Sequence, residues 1–122
     1  MEIIKYNFED LSALFINCTL KKSPRQSHTR GLIDVSKQIM EKHNVDVKVI
    51  RAVDYDIATG VYPDMTDKNW DKDDWPAIQK KVLASDILVL GTPIWLGSKS
   101  SVCSRVIERL YSYSGQVNEN GQ

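Results

Sequence analysis

Two short segments of this sequence carry residue types that can do chemistry together. The first runs Asn17-Cys18-Thr19-Leu20-Lys21-Lys22-Ser23-Pro24-Arg25-Gln26-Ser27-His28-Thr29. It concentrates hydroxyls and cations just ahead of a helical pattern. A helix N-terminus offers unpaired amides and a partial positive charge, so hydroxyls there suit a phosphate monoester. The second segment runs Thr92-Pro93-Ile94-Trp95-Leu96-Gly97-Ser98. A rigid start leads to a large aromatic able to stack on a planar ring system, and then to a glycine that lets backbone approach a ligand. Taken singly, the first could be an ordinary capped loop with solvated cations, and the second could carry a surface or interface tryptophan. The two gain meaning only if one fold brings them to one place.

The elements between them do predict that. Ala13-Leu14-Phe15-Ile16-Asn17 is an apolar run too short for a helix, and it reads as a strand buried on both faces. From Thr29 a helical pattern begins, with Leu32, Ile33, Ser36, Ile39, Met40 and His43 at three- and four-residue spacing. Ser27 is its expected N-cap, and His43-Asn44 ends it. Val45, Val47 and Val49 alternate with Asp46 and Lys48, as on a strand with one half-exposed face. A long loop, residues 52–69, follows, with room for a helical turn. Loops of this length are more often functional than idle. Asp73-Asp74-Trp75-Pro76 starts a second helix, whose inward face is expected at Trp75, Ile78, Val82 and Leu83. Asp86-Ile87-Leu88-Val89-Leu90-Gly91-Thr92 reads as a parallel strand. A last helix should turn Val102, Val106, Ile107 and Leu110 inward, before a polar tail from Ser112.

Strand and helix alternate three times, which predicts a parallel sheet with right-handed crossovers. Only the second strand alternates in polarity, so the expected order is 2-1-3. Both segments then leave the sheet at a crevice above strands 1 and 3, where open α/β sheets bind ligands.

At this point the residues resemble a known family. Thr19-Leu20-Lys21, Ser23-Pro24 and Ser27-His28-Thr29 are similar to the phosphate loop of NADPH-dependent FMN reductases and related NAD(P)H quinone reductases. Asparagine is commoner there where His28 stands. Gly91-Thr92-Pro93-Ile94-Trp95-Leu96-Gly97-Ser98 is similar to their isoalloxazine loop. The resemblance implies a flavodoxin-like α/β fold, a three-layer sandwich, with FMN as cofactor and NADPH or NADH as cosubstrate. It implies that Thr19, Lys21, Ser27, His28 and Thr29 hold the phosphate. It also implies that Pro93, Ile94, Trp95, Leu96, Gly97 and Ser98 border the flavin ring. The activity implied is hydride transfer from a nicotinamide to flavin and then to an acceptor such as a quinone. Such chemistry belongs to the flavin, so no catalytic side chain is nominated. The family fold has five strands, and this chain carries the first three. It is therefore expected to be part of a longer protein or to pair strand 3 with another molecule, as in a homo-oligomer.

Other readings fare worse. A flavodoxin-type electron carrier remains an alternative, although such carriers are often strongly acidic and this chain has 16 cations against 16 acids. A truncated, non-catalytic flavin-free fragment is a further alternative. A response-regulator module needs clustered acids after strand 1 and an aspartate ending strand 3, where Asn17-Cys18-Thr19 and Gly91-Thr92 stand. G-x-G-x-x-G and G-x-x-x-x-G-K-[ST] are both absent. Zero net charge argues against a nucleic-acid or membrane-surface partner. The 122 residues suit one core and one domain, 1–122. No signal-peptide pattern is visible, which makes the cytoplasm the expected location. Cys18 and Cys103 form no metal or disulfide spacing and read as two buried thiols. Asp54, Asp56, Tyr62 and Asp64 stand in the long loop and read more readily as a solvated acidic face than as site residues.

Overall fold

A computed structural model of the chain describes residues 7–113. Its elements are β1 (Ser12–Asn17), α1 (His28–Lys42), β2 (Asp46–Arg51), α2 (Trp75–Leu83), β3 (Ile87–Gly91), a small hairpin of β4 (Ile94–Trp95) and β5 (Ser98–Lys99), and α3 (Ser101–Tyr111). The three long strands are parallel and lie in the order β2-β1-β3. Most of the polar tail expected after Ser112 lies outside the described residues.

The strand at the centre is the one without polar alternation. Ala13 and Phe15 face Ile33 of α1 together with Val45. Leu14 and Ile16 face Trp75 and Ile78 of α2 and Cys103 and Val106 of α3. The result is a flavodoxin-like three-layer α/β sandwich, with α1 on one face of the sheet and α2 and α3 on the other. On β2, Asp46 and Lys48 are exposed while Val47 and Val49 are half-buried, as their alternation requires.

Local signals account for the helix ends. Ser27 caps α1 by accepting from the Arg30 amide at 3.2 Å. Past its C-terminus, Asn44 takes φ +66°, a conformation asparagine tolerates better than most residues. Pro76 stands in the first turn of α2. Several expected inward positions point out instead. Leu32 (75% exposed) and Ile39 of α1, Leu83 of α2 and Ile107 of α3 are exposed, because each apolar stripe is wider than the strip the small sheet covers. Among the described residues β3 has no strand on its outer side, so it forms an edge despite its apolar sequence.

Two short 3₁₀ turns, Ala52–Asp54 and Met65–Lys68, punctuate the long loop. A fully buried ion pair closes that loop. Arg109 of α3 meets Asp73 at 2.8 Å, and both side chains are out of solvent. The guanidinium also donates to the carbonyls of Ala58 (2.8 Å), Tyr62 (2.9 Å) and Pro63 (3.1 Å). The carboxylate accepts from the amides of Ala58 (3.3 Å), Met65 (3.0 Å) and Trp75 (3.1 Å). Each charge is thus bonded on several sides, which is what makes such a pair tolerable inside a protein.

Candidate flavin site

The site is built where β1 and β3 end. Asn17 lies in register with both Arg51 and Gly91, so the chain leaves three strands at one level. The Cys18 amide donates to the Gly91 carbonyl at 2.7 Å. The Cys18 carbonyl accepts from Ser100 Oγ at 2.8 Å, and that same oxygen accepts from the Cys103 amide at 3.0 Å. Ser100 in turn donates its amide to Thr92 Oγ1 at 3.0 Å. These bonds join the start of the first segment to both ends of the second, so the two meet as the strand order predicts.

Glycine at position 91 is a packing requirement. A Cβ there would stand 2.8 Å from Ile33 Cδ1 and 3.1 Å from Thr29 Cγ2. Without it, the first turn of α1 lies directly over the end of β3.

The loop 18–27 is held in place by groups outside it. Asn17 Oδ1 accepts from the Thr19 amide at 3.0 Å, and Thr19 Oγ1 accepts from the Lys21 amide at 3.4 Å. Arg51, at the end of β2, donates to the carbonyls of Lys21 (3.0 Å) and Arg25 (2.8 Å). Asp54 accepts from the Ser23 amide at 2.9 Å and from its hydroxyl at 2.5 Å. Desolvation works against ionisation of Asp54, but the two Ser23 bonds and the nearby Arg51 and Lys22 outweigh it. Its carboxyl is therefore held below the ordinary carboxylate range. The Ser23–Pro24 peptide is cis.

The loop and α1 flank an open, strongly basic hollow of about 550 Å³. Lys21, Ser27 and His28 line it, joined by Arg25, Arg30 and Arg51, against a single acid, Asp34, which is paired with Arg30 at 2.7 Å. Among the described residues the amides of His28 and Thr29, the first two of α1, donate to no partner. The structure therefore brings Lys21, Ser27, His28 and Thr29 together around one helix N-terminus. Thr29 also lines a second hollow of about 160 Å³, with Phe15, Gly91 and Thr92. Thr19 is buried beneath the loop and lines neither.

The second segment is a hairpin where the sequence suggests a loop. Ile94 pairs with Lys99 and Trp95 with Ser98, leaving Leu96 and Gly97 at the tip. Both tip residues have positive φ, +52° and +75°, the signature of a two-residue turn that matches strand twist. Glycine accepts this freely, whereas leucine does so at a cost of about 1–2 kcal/mol. Ile94, Trp95 and Leu96 are all exposed, so the hairpin presents an apolar surface beside the loop ends. Pro93 to Ser98 line neither hollow.

Four residues of the long loop have structural partners. Asp54 grips Ser23, Asp56 pairs with Lys72 at 3.2 Å, Asp64 caps a turn through the Thr66 amide at 2.9 Å, and Tyr62 lies under the Lys68 ammonium at 4.2 Å. Cys18 and Cys103 are both free and buried. Burial, and the Cys103 thiol next to it, push the Cys18 thiol strongly up, so it stays protonated and inert. Among the described residues no group of side chains could hold a metal ion, and no helix is long and apolar enough to cross a membrane.

The family model of NADPH-dependent FMN reductase matches residues 12–120. This chain belongs to the NADPH-dependent FMN reductase family. It is 60% identical over 115 residues to a segment of the divalent metal cation transporter MntH of Mycobacterium bovis, covering 94% of this chain and 17% of that protein. It is 37% identical over 105 residues to the 8-demethyl-8-aminoriboflavin-5'-phosphate synthase of Streptomyces davaonensis, covering 82% of this chain and 41% of that one. The crystal structure of RosB with bound 8-demethyl-8-formylriboflavin-5'-phosphate superposes with a TM-score of 0.80 at 33% identity, covering 92% of this chain and 46% of RosB. The chain spans less than half the length of each of these relatives.

Proposed function

We propose that this chain binds FMN, with the phosphate at the N-terminus of α1 and the ring along the β4–β5 hairpin. The observation that carries this is the cavity lined by four cations, Ser27 and His28 at the N-terminus of α1, whose first two amides donate to no partner among the described residues. Aligned amides, a helix dipole and flexible cations are the requirements of a phosphate monoester. That RosB holds a riboflavin 5'-phosphate derivative, and that the Streptomyces relative is named for a flavin phosphate product, support the same ligand class.

In this reading Lys21, Ser27, His28 and Thr29 bind the phosphate. Thr19 keeps the loop in shape, and Pro93, Ile94, Trp95, Leu96, Gly97 and Ser98 border the ring. When bound, FMN supplies the redox chemistry, taking hydride from NADPH or NADH and passing electrons to an acceptor such as a quinone. The chain's own contribution would be to anchor the phosphate at the N-terminus of α1 and to border the ring with the β4–β5 hairpin. A homo-oligomer would complete the exposed edge of β3.

Titration of the purified chain with FMN tests the reading. We expect quenching of protein fluorescence, a smaller quench in Trp95→Phe, and FMN-dependent oxidation of NADPH. Absence of any quench or flavin spectral shift would overturn it. Binding without NADPH oxidation would leave a flavin carrier instead of a reductase.

A further inference from the structure

We propose that the rim formed by the 18–27 loop and the β4–β5 hairpin is a docking surface for an anionic lipid membrane. The two segments leave neighbouring strands at one end of the sheet. They are tied together there, the Cys18 amide to the Gly91 carbonyl and the Cys18 carbonyl to Ser100. Between residues 18 and 30, and again between 92 and 105, every charged side chain is a cation: Lys21, Lys22, Arg25, Arg30, Lys99 and Arg105. The zero net charge that argues against a membrane partner is thus an average over an uneven molecule. Two acids reach the rim from beside it, Asp34 on Arg30 at 2.7 Å and Asp54 on Ser23. Lys21, Arg25 and Lys99 form no ion pair among the described residues.

Large apolar side chains stand exposed among these cations: Leu20 on the loop, and Ile94, Trp95 and Leu96 on the hairpin. Leu96, at the tip, is as open as in an extended chain and holds a positive φ that leucine adopts only at a cost. A projecting apolar tip ringed by cations supplies both terms of interfacial lipid binding. Apolar groups enter below the headgroups, and the cations are drawn to anionic headgroups.

Docking is compatible with the flavin reading and does not depend on it. Successive strand residues face opposite sides, so Ile94 and Trp95 cannot both lie along a flavin ring. With Trp95 toward the ring, Ile94, Leu96 and Leu20 are left for lipid. Lys22 and Lys99 line neither hollow of the flavin site, so they stay available when a phosphate is bound. The competing occupant is a second copy of the chain. Two-fold pairing through this rim would set cation against cation, which favours an anionic surface instead.

The experiment is cosedimentation of the flavin-free chain with vesicles of phosphatidylcholine alone, or of phosphatidylcholine mixed with phosphatidylglycerol. Binding should require phosphatidylglycerol and weaken steeply with added salt. Leu96→Asn should weaken it about tenfold, and asparagine accepts the turn conformation better than leucine, so this variant should fold at least as well. Lys22→Glu with Lys99→Glu should weaken it at least about tenfold. No vesicle binding, or equal binding to both vesicle types, overturns the proposal. Self-association that Leu96→Asn abolishes, without vesicle binding, gives the rim to a second copy and overturns it too. FMN titration of the same samples keeps the two readings apart. FMN binding without vesicle binding overturns docking alone, and vesicle binding without FMN binding supports docking while overturning the flavin reading.

Discussion

The chain holds two long polar loops with an arginine from a neighbouring element, but one arginine is buried in an ion pair and the other is not. The loop from residue 55 to residue 74 closes on a buried charge pair, its own Asp73 and Arg109 of α3. Its carbonyls and amides converge on Arg109 and Asp73, a pair with no solvent contact. The loop from residue 18 to residue 27 is braced from outside, by Arg51 and Asp54 on the β2 side. Its bracing ends short of α1, where the His28 and Thr29 amides donate to no partner among the described residues. The first loop reads as scaffolding, and the second is where we propose the phosphate binds. Composition alone cannot separate them, since both are rich in charges and hydroxyls.

The sharpest way to break the comparison is to attack the scaffold. Arg109→Met leaves the Asp73 carboxylate buried without its partner, and the expected cost is about 3–5 kcal/mol in urea unfolding. Asp73→Asn leaves the Arg109 guanidinium buried without its counter-charge and turns an amide N–H toward other donors, so it should cost at least as much. In the double variant the two losses should fall well short of their sum, as expected for residues in direct contact. FMN affinity of the folded fraction should not change in any of the three. A folded Asp73→Asn with clearly weakened FMN binding would show that the long loop shares in the site.

Substitution at Ser27 sharpens the other half. Ser27→Ala removes an N-cap, which should cost about 1 kcal/mol of stability and weaken FMN binding as well. Ser27→Asp keeps the cap, because a carboxylate accepts from the Arg30 amide equally well. It also sets a negative charge where the phosphate is proposed to lie. Its unfolding midpoint should match the wild type while FMN binding is lost. If Ser27→Asp binds FMN normally, the phosphate does not sit at this helix end.

Much of this arrangement is legible in the sequence. Period and run length give β1, β3, the sheet order and the position of α1, because one buried strand and one alternating strand admit few layouts. Ser27 is legible as a cap because capping is local chemistry. The hairpin at Ile94 to Lys99 is not, since Leu96 occupies a turn position where glycine or asparagine would announce a hairpin. The outward turn of Leu32, Leu83 and Ile107 is hidden too, as periodicity gives the direction of a stripe and says nothing of how wide a face the sheet covers. Arg109 and Asp73 meet from distant parts of the chain. The one available clue is a cation placed on the buried stripe of α3, three residues after Val106.

The smallest expected effect concerns the brace itself. Asp54 is exposed and ionises more readily than an ordinary aspartate: desolvation is the largest single influence and opposes ionisation, but the two Ser23 bonds together with Arg51 and Lys22 outweigh it. A carboxyl whose pKa is lowered by folding stabilises the fold above its unfolded value, about 3.9, and loses that contribution as pH falls through the lower folded value. The brace should therefore stay closed through neutral and mildly acidic pH. The Ser23 amide reports on it directly, since its proton shift follows the charge on its acceptor. Its titration midpoint should lie below about 3.9, and in Asp54→Asn the step should vanish with little change in global stability. A Ser23 amide that titrates at or above the ordinary aspartate value would mean that Asp54 does not hold the loop, and that the bracing falls to Arg51 alone.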